Sequence, residues 1–383
     1  MTHTPLAVIG AGPYGLSIAA HAKNAGIDAL VLGEPMEFWR RNMPEGMLLR
    51  SSHEWHLDAD GVFSLNAYLV ERGLDPVDVT PVPVNLFIEY ATWFGAAAGL
   101  RMRREFVRDV RRDNGRFELL LENGEQIAAD AIVATPGVAR FGSLPDWVER
   151  CLPPERYAHT CKLVQFERLR GARCLIVGGR QSAFEWAALL NETGAAAVHL
   201  TYRHDTPAFT ASDWSFVDQY IDHTINIPGW YRQLPPAERD AVSQRFWAEG
   251  RLKLEPWLTP RLAAPTIHCW PHTEVTTCHE LPSGEIHVTL SNGEQLLIDH
   301  VLLATGYAAD ARKIPYLHGV LDNLAIAGGS PVLNDNFQSS VPGLFFAGFL
   351  AVRDFGPFFG FVRGCPAAAK LIVGALTRDH VRA

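Results

Sequence analysis

Three glycines near the start of the chain, Gly10, Gly12 and Gly15, have the spacing that holds the pyrophosphate of a dinucleotide. In such a loop the first glycine permits a tight turn, the second lets the backbone approach the phosphates, and the third lets the next helix pack close to the strand. The phosphates then lie at the helix N-terminus, where free N–H groups and the helix dipole favour negative charge. The spacing therefore predicts a dinucleotide site that includes Pro13 and Tyr14 of the same loop.

The residues around this loop predict the elements that would position it. An apolar run at 6–9 is typical of a buried parallel strand, residues 16–22 favour a helix, and a second apolar run follows at 29–32. Glu34 comes about twenty residues after the glycines, where such units place the carboxylate that accepts from a ribose hydroxyl. Strand, glycine loop, helix, strand and acid in this order predict a Rossmann unit.

A second loop of the same kind lies in the middle of the chain. The sequence Gly178-Gly179-Arg180-Gln181-Ser182 directly follows an apolar run that predicts a strand. Ser182 stands where the third glycine would be, and a residue this small still allows close packing of the helix. We therefore predict that this loop also binds a dinucleotide.

The two loops differ in the residue that follows their second strand. The strand predicted at 197–202 ends in Arg203 and not in an acid. Replacement of the carboxylate by an arginine favours a ribose 2′-phosphate, and therefore NADP over NAD. A solvated surface role remains the alternative for Arg203, and also for Arg180.

A second repeat accompanies the two loops. Residues 122–137 and 291–306 each contain an Asn-Gly hairpin signal, an acid, an apolar strand and Ala-Thr with a glycine. Around the first hairpin signal the pattern predicts separate strands at 116–121, at 126–128 and from residue 131. The residues that this pattern places beside the nucleotides are Thr135, Pro136, Gly137, Thr305 and Gly306.

These patterns predict an α/β fold with two Rossmann-like domains, the second inserted into the first, and with β-hairpin elements. We expect a first dinucleotide domain at 1–155, a second at 156–300, and the remainder of the first at 301–383. Within the second domain, residues 205–272 form an aromatic-rich insertion that no Rossmann unit requires. A packing or interface role and a role as substrate-pocket wall are both open for it.

Composition narrows the possible partners. The 383 residues carry a net charge of −8 with no basic run, which disfavours nucleic acid as a partner. No apolar stretch reaches the ~20 residues of a membrane span, and the first strand leaves no room for a cleavable leader. We therefore expect a cytoplasmic protein, with homo-oligomerisation left open.

The six cysteines show no CxxC pair, so a dithiol redox centre is not expected. Histidines and cysteines cluster at 268–279, but without the spacing of a zinc site. We predict no metal.

Together these motifs resemble the flavoproteins with two dinucleotide-binding domains, and among them the class B flavin monooxygenases. The resemblance covers nearly the whole chain, and its weaker part extends to the ornithine and lysine N-hydroxylases. The segments that carry it are the first glycine loop with Glu34, the loop from Trp39 to Ser51, and residues 134–137, 178–182, 304–307 and 343–348.

The resemblance implies FAD in the first unit and NADPH in the second. Hydride would pass from NADPH to FAD, O₂ would be activated as a flavin C4a-(hydro)peroxide, and oxygen would reach a small molecule, which the aromatic insertion suggests is apolar or aromatic. Arg50, Ser51, Ser52 and His53 lie in a loop that the family places beside the flavin ring, and they are the candidate catalytic residues. A surface-loop role is the alternative for each. Further cofactor contacts implied by the resemblance are Trp39, Met47, Val107, Gly348 and Phe349.

Two departures from the family pattern affect this interpretation. The loop after Met47 lacks the glutamine and lysine that hold an amino-acid substrate, which argues against ornithine or lysine. His159 fits the histidine of the FxGxxxHxxx(Y/F) fingerprint, whereas the preceding phenylalanine and glycine are missing. Two other functions are therefore kept: a reductase that passes electrons to a quinone or a protein without oxygen insertion, and a flavin-binding protein without turnover.

Overall fold

The computed structural model describes residues 2–113 and 115–382, and the first part of the chain builds one sheet with helices against it. Its elements are β1 (Thr2–Ile9), α1 (Pro13–Asn24), β2 (Ala29–Leu32), α2 (Glu37–Arg41), α3 (Leu65–Glu71), α4 (Val84–Ala97), β3 (Arg101–Arg103), β4 (Val107–Asp113), β5 (Arg116–Leu121) and β6 (Gln126–Ala134). The strand order is β3-β2-β1-β6-β5-β4.

The centre of this sheet is parallel and dry. β1 pairs in parallel with β2 on one side and with β6 on the other. Leu6, Ala7 and Val8 are completely buried, as expected for an apolar run with helices against the sheet. At the sheet's other side β5 and β6 form the predicted antiparallel hairpin, in which Gly124 adopts a φ of 88°.

The second domain repeats this architecture. Its elements are α5 (Val148–Cys151), β7 (Tyr157–His159), β8 (Arg173–Val177), α6 (Gln181–Thr193), β9 (Ala197–Tyr202), β10 (Ala208–Phe209), α7 (Phe216–Asn226), α8 (Trp230–Gln233), α9 (Pro236–Gly250), β11 (Lys253–Leu254), α10 (Leu258–Leu262), β12 (Ile267–Pro271), β13 (Val275–Glu280), β14 (Ile286–Leu290), β15 (Gln295–Ile298) and β16 (His300–Leu303). The sheet β12-β9-β8-β16-β7 is parallel throughout, and β13-β14-β15 is an antiparallel meander.

The chain then returns to the first domain. The last elements are β17 (Ile326–Ala327), β18 (Ser330–Pro331), β19 (Leu344–Phe346), α11 (Val352–Phe355) and α12 (Cys365–Arg382). β19 pairs in parallel with β6, and α12 packs against α1. The second domain is therefore inserted into the first, as the repeats predicted.

Two local predictions were wrong. Residues 38–41 belong to the short helix α2 and not to a loop; the helix is supported by an ion pair between Arg41 and Glu37 at 3.1 Å, one helical turn apart. Residues 126–134 form one strand and not two, although Ala and Asp are poor strand formers. Pairing with both β1 and β5 overrides that local preference.

The aromatic insertion packs on the tail of the first domain. The ring of Tyr220 stacks on that of Phe358 at 5.7 Å, and Trp214 contacts both Phe246 and Phe361. Phe216 and Phe246 are buried in the same core as the first sheet. The packing role proposed for these aromatics is therefore present.

The described residues contain neither a membrane-spanning helix nor a metal cluster. None of the helices in residues 2–113 and 115–382 is long and apolar enough to cross a bilayer. All six cysteines are free thiols, and within these same residues no three His, Cys, Asp or Glu side chains come together as a metal site.

Tyr90 of α4 fixes the segment before α3. Its completely buried hydroxyl accepts from the Leu57 N–H at 2.9 Å and donates to the Phe63 carbonyl at 3.0 Å. We expect Tyr90→Phe to lower the free energy of unfolding by about 1–3 kcal/mol, because the Leu57 N–H loses its partner in a dry site. Urea unfolding measures this.

The matched control is Tyr157→Phe, because the Tyr157 hydroxyl makes no hydrogen bond within the described residues. Its unfolding midpoint should stay near that of the parent. Equal midpoints for the two variants would show that the Tyr90 hydroxyl does not hold the segment.

Candidate active site

The first glycine loop has the backbone geometry of a phosphate cradle. A Cβ on Gly10, whose φ is +112°, would come within 2.3 Å of the Thr135 carbonyl oxygen, and one on Gly15 within 1.9 Å of the Gly10 carbonyl oxygen. A Cβ on Gly12 would meet no protein atom within 4 Å. Two glycines are thus required by packing, whereas the middle one faces open space at the start of α1. The loop fits the pyrophosphate of a dinucleotide such as FAD.

The end of β6 supports this loop from beneath. The Thr135 hydroxyl lies 3.1 Å from the Ile9 carbonyl and 3.0 Å from the Gly10 carbonyl, and it donates to this pair. Gly137 then turns the chain away with a φ of +65°. Thr135 therefore ties the ends of β1 and β6 together.

Glu34 lies just beyond the end of β2, at the rim of the first cradle. Its side chain is 27% exposed, and its only ion-pair partner in the described chain is Arg104, at 3.8 Å. A partner this distant and exposed is weak, so the carboxylate is available to a ribose hydroxyl.

Tyr14 joins the first loop to the tail of the chain. Its buried hydroxyl lies 2.6 Å from the Phe359 carbonyl, to which it donates, and 2.9 Å from the Phe361 carbonyl. A Cβ on Gly348 would lie 3.4 Å from the Tyr14 ring. The next residue, Phe349, packs on the rings of Phe141 and Tyr307. The predicted tail residues Gly348 and Phe349 are thus brought together with the first glycine loop.

The second loop is built in the same way from other neighbours. A Cβ on Gly178 would lie 2.5 Å from the Ala304 carbonyl oxygen, and one on Gly179 would lie 2.4 Å from Cβ of Tyr202. Both glycines therefore let α6 begin close to the ends of β16 and β9. Ser182 is exposed on the first turn of α6.

His159 fastens the turn after β16. Its Nε2 lies 3.0 Å from the Gly306 carbonyl, and its Nδ1 accepts from the Cys161 N–H at 3.2 Å. The proton of the neutral ring is therefore on Nε2 and is donated to Gly306, while burial lowers the pKa of the imidazole. The Thr305 hydroxyl donates to the Ser143 carbonyl. The fingerprint histidine thus positions Gly306, and the Ser143 carbonyl holds Thr305.

Arg50, the first of the candidate catalytic residues, points into the protein. Its Nε donates to the Glu255 carboxylate at 2.8 Å, and its other nitrogens donate to the Ser212 hydroxyl and to the carbonyls of Gly250 and Lys253. The guanidinium also lies over the Trp214 ring at 5.6 Å. These contacts bind the loop at 48–53 to the aromatic insertion.

The other three candidates lie at the surface of that loop. The Ser52 hydroxyl accepts from the Glu54 N–H at 3.1 Å, and His53 Nδ1 lies 2.9 Å from the Asn66 side-chain oxygen. Ser51 is half-buried, with no hydrogen bond from its side chain in the described residues. The remaining nitrogen of His53 and the hydroxyl of Ser51 are the groups here without a described partner.

Two buried acids that sequence reasoning missed continue the Arg50 contacts. The Glu255 N–H donates to Gln181 Oε1 at 3.1 Å, and Glu185 of the same helix accepts from the Leu48 N–H at 3.0 Å. Glu185 is completely buried, and this burial raises the pKa of its carboxyl to about 7. A lone acid within the apolar run 183–187 was the available signal. Through these residues the second glycine loop, the loop at 48–50 and the insertion form one buried polar network.

Much of the chain is similar in sequence to known oxidoreductases. The model of the family described as pyridine nucleotide-disulphide oxidoreductase matches residues 7–226. The FAD-dependent urate hydroxylase of Xanthomonas campestris is 31% identical over 267 residues, which is 66% of this chain and 52% of that protein. This chain thus matches about half the length of that curated relative.

Two solved structures share the fold over nearly the full length. The ornithine N-hydroxylase of Kutzneria sp. 744, solved with reduced FAD, NADP⁺ and L-ornithine, superposes with a TM-score of 0.79 at 17% identity, covering 99% of this chain and 100% of that one. The bacillithiol disulfide reductase of Staphylococcus aureus superposes with a TM-score of 0.69 at 19% identity, covering 99% of each chain. Both carry the architecture described above.

Gly12→Ala should fold and yet hold FAD weakly. The new methyl group meets no protein atom but occupies the space through which backbone approaches a pyrophosphate. A loss of ~1.4 kcal/mol or more in binding corresponds to at least ~tenfold weaker FAD. The measurement is flavin absorbance per protein after dialysis, with Gly374→Ala in α12 as the matched control. Full flavin content in Gly12→Ala would place the pyrophosphate elsewhere.

Arg50→Gln should destabilise the protein strongly, because it leaves the buried Glu255 carboxylate without its cation. Breaking a buried pair costs about 3–5 kcal/mol, and adding Glu255→Gln should recover part of it. Arg72→Gln is the matched control, since the Arg72–Glu89 pair is exposed and such pairs contribute about 0–1 kcal/mol. Urea unfolding midpoints of the three variants measure this. Equal shifts for Arg50→Gln and Arg72→Gln would show that the Arg50–Glu255 pair is not a buried, stabilising contact.

Proposed function

Since the chain belongs to the pyridine nucleotide-disulphide oxidoreductase family, we propose that it is an FAD- and NADPH-dependent monooxygenase. The observation that carries the proposal is the pair of glycine cradles, one on each parallel sheet, with the second domain inserted into the first. Each cradle has its own glycines at the points of closest backbone contact. A chain that bound a single dinucleotide would not require both glycine cradles.

The first cradle binds FAD. Backbone N–H groups at the start of α1 hold the pyrophosphate, because the Gly12 N-cap offers no side chain to satisfy them. Glu34 accepts from the ribose, and the tail from Gly348 to Phe349 covers the far side of the loop. When bound, the flavin supplies hydride acceptance and the activation of O₂.

The second cradle binds NADPH. Residues 178–182 surround the pyrophosphate at the start of α6, and Arg203 follows β9 where an acid would select NAD. The buried network of Arg50, Glu255 and Gln181 orients this helix relative to the loop at 48–53. The chain's own contribution to hydride transfer is therefore positioning.

Oxygen transfer takes place beside the loop that carries Ser51 and His53. Both side chains are half-buried, so they can contact a small apolar or aromatic substrate and help keep water from the reacting atoms. The hydroxylases among the similar proteins support oxygen insertion, since the urate hydroxylase matches two thirds of this chain in sequence.

Electron transfer without oxygen insertion is the second candidate function. The structural similarity to a disulfide reductase favours it. The absence of any CxxC pair in the sequence favours monooxygenation, because it leaves no dithiol to relay electrons.

Anaerobic mixing with NADPH should bleach the bound flavin stoichiometrically, and with NADH more slowly. Aeration of the reduced protein with a panel of apolar and aromatic compounds should then give oxygenated product in proportion to NADPH consumed. Hydrogen peroxide as the sole oxygen product with every compound, together with fast reduction of a quinone, would establish the reductase. No bleaching by either nucleotide would refute both.

A further inference from the structure

Two arginines beside the second glycine loop lie over the same tryptophan ring, and neither has an acidic partner among the described residues. The Arg180 guanidinium lies over the Trp247 ring with its carbon 3.5 Å from the ring centroid, and that of Arg251 lies 5.1 Å from the same centroid. Throughout the described residues neither guanidinium has a hydrogen bond or an ion pair. By contrast, Arg173 and Arg261 of the same domain each bind carboxylates.

The two arginines come from separate parts of the chain. Arg180 is the N-cap of α6, directly after the glycine pair, whereas Trp247 and Arg251 lie at the C-terminal end of α9 in the aromatic insertion. Arg203, which follows β9, completes the cluster. Its ion pair with Glu274 is exposed, with 3.6 Å between Nε and the carboxylate oxygen. The insertion therefore brings a cation to the nucleotide loop.

The cluster is electrostatically unfavourable without an anion. Burial, together with repulsion from Arg251 and Arg203, lowers the pKa of Arg180 to about 10, and burial also lowers the pKa of Arg251. Three like charges are thus held together, and those of Arg180 and Arg251 are partly removed from water. A group with two negative charges would relieve this repulsion and bind several planar donors at once.

We propose that Trp247 and Arg251 of the insertion complete, with Arg180 and Arg203, the binding site for the 2′-phosphate of NADPH. The assignment rests on the proposed second dinucleotide site. The pyrophosphate is held by N–H groups at the start of α6, whereas the ribose of a Rossmann unit lies toward the end of the second strand, where Arg203 stands. Trp247 holds the guanidinium planes by cation–π contact, which preorganises them for the phosphate.

The direct test is calorimetric titration of the FAD-loaded protein with adenosine 2′,5′-bisphosphate and with 5′-AMP, which differ in the 2′-phosphate alone. The parent should prefer the bisphosphate. Arg251→Gln should reduce that preference about 10- to 100-fold, the range for one hydrogen-bonded charge, and should leave 5′-AMP affinity unchanged. Arg251→Lys should retain part of the preference.

Arg245→Gln is the matched control, because Arg245 lies on the same helix but over Phe216. It should keep the parental preference. Flavin content and far-UV circular dichroism show that each variant is folded.

Each other outcome overturns a defined part of the proposal. An unchanged preference in Arg251→Gln, or equal weakening of both ligands, refutes the 2′-phosphate assignment while the second dinucleotide site stands. Failure of the parent to bind either ligand refutes the site itself, and the proposed function with it.

Discussion

The structure depends on backbone atoms that nearly touch at the carboxyl edge of the first sheet. The start of α1 comes so close to the end of β1 that a single methyl group on Gly15 would overlap the Gly10 carbonyl. That contact aims the N-terminus of the helix across the strand ends, where its unpaired N–H groups face a ligand. The second domain reproduces the arrangement with Gly178 and Gly179. The meander packs on the second sheet, and the aromatic helices pack on the tail of the first domain.

Elements whose signal is local were predictable from the sequence. β2, β5 and β9 match the predicted residues without error, because each is an apolar or alternating run bounded by clear turn signals. The glycine loops were also predictable, because a position that is packed too tightly for a Cβ must be glycine. The insertion of one domain into the other followed from the order of the repeats.

Contacts between distant parts of the chain were not predictable. Arg50 was selected as a catalytic candidate from its loop, but nothing near it in sequence shows that Glu255 and Ser212 surround its guanidinium. Glu185 was hidden for the same reason, because its partner Leu48 lies in another domain. The arginine–tryptophan cluster needed the structure as well, since α9 carries no nucleotide motif. A local sequence pattern shows which face of a helix or strand is buried. It does not show which distant residues pack against that face.

The return of β19 to β6 has a consequence for biosynthesis. β6 ends at Ala134, and the strand that completes its edge begins at Leu344, after the entire second domain. On the ribosome the second domain emerges whole and can fold as a unit. At that stage the first domain still lacks β19 beside β6, and α1 is not yet covered by α12. The first domain therefore cannot complete its native packing before residues 344–382 have been synthesised.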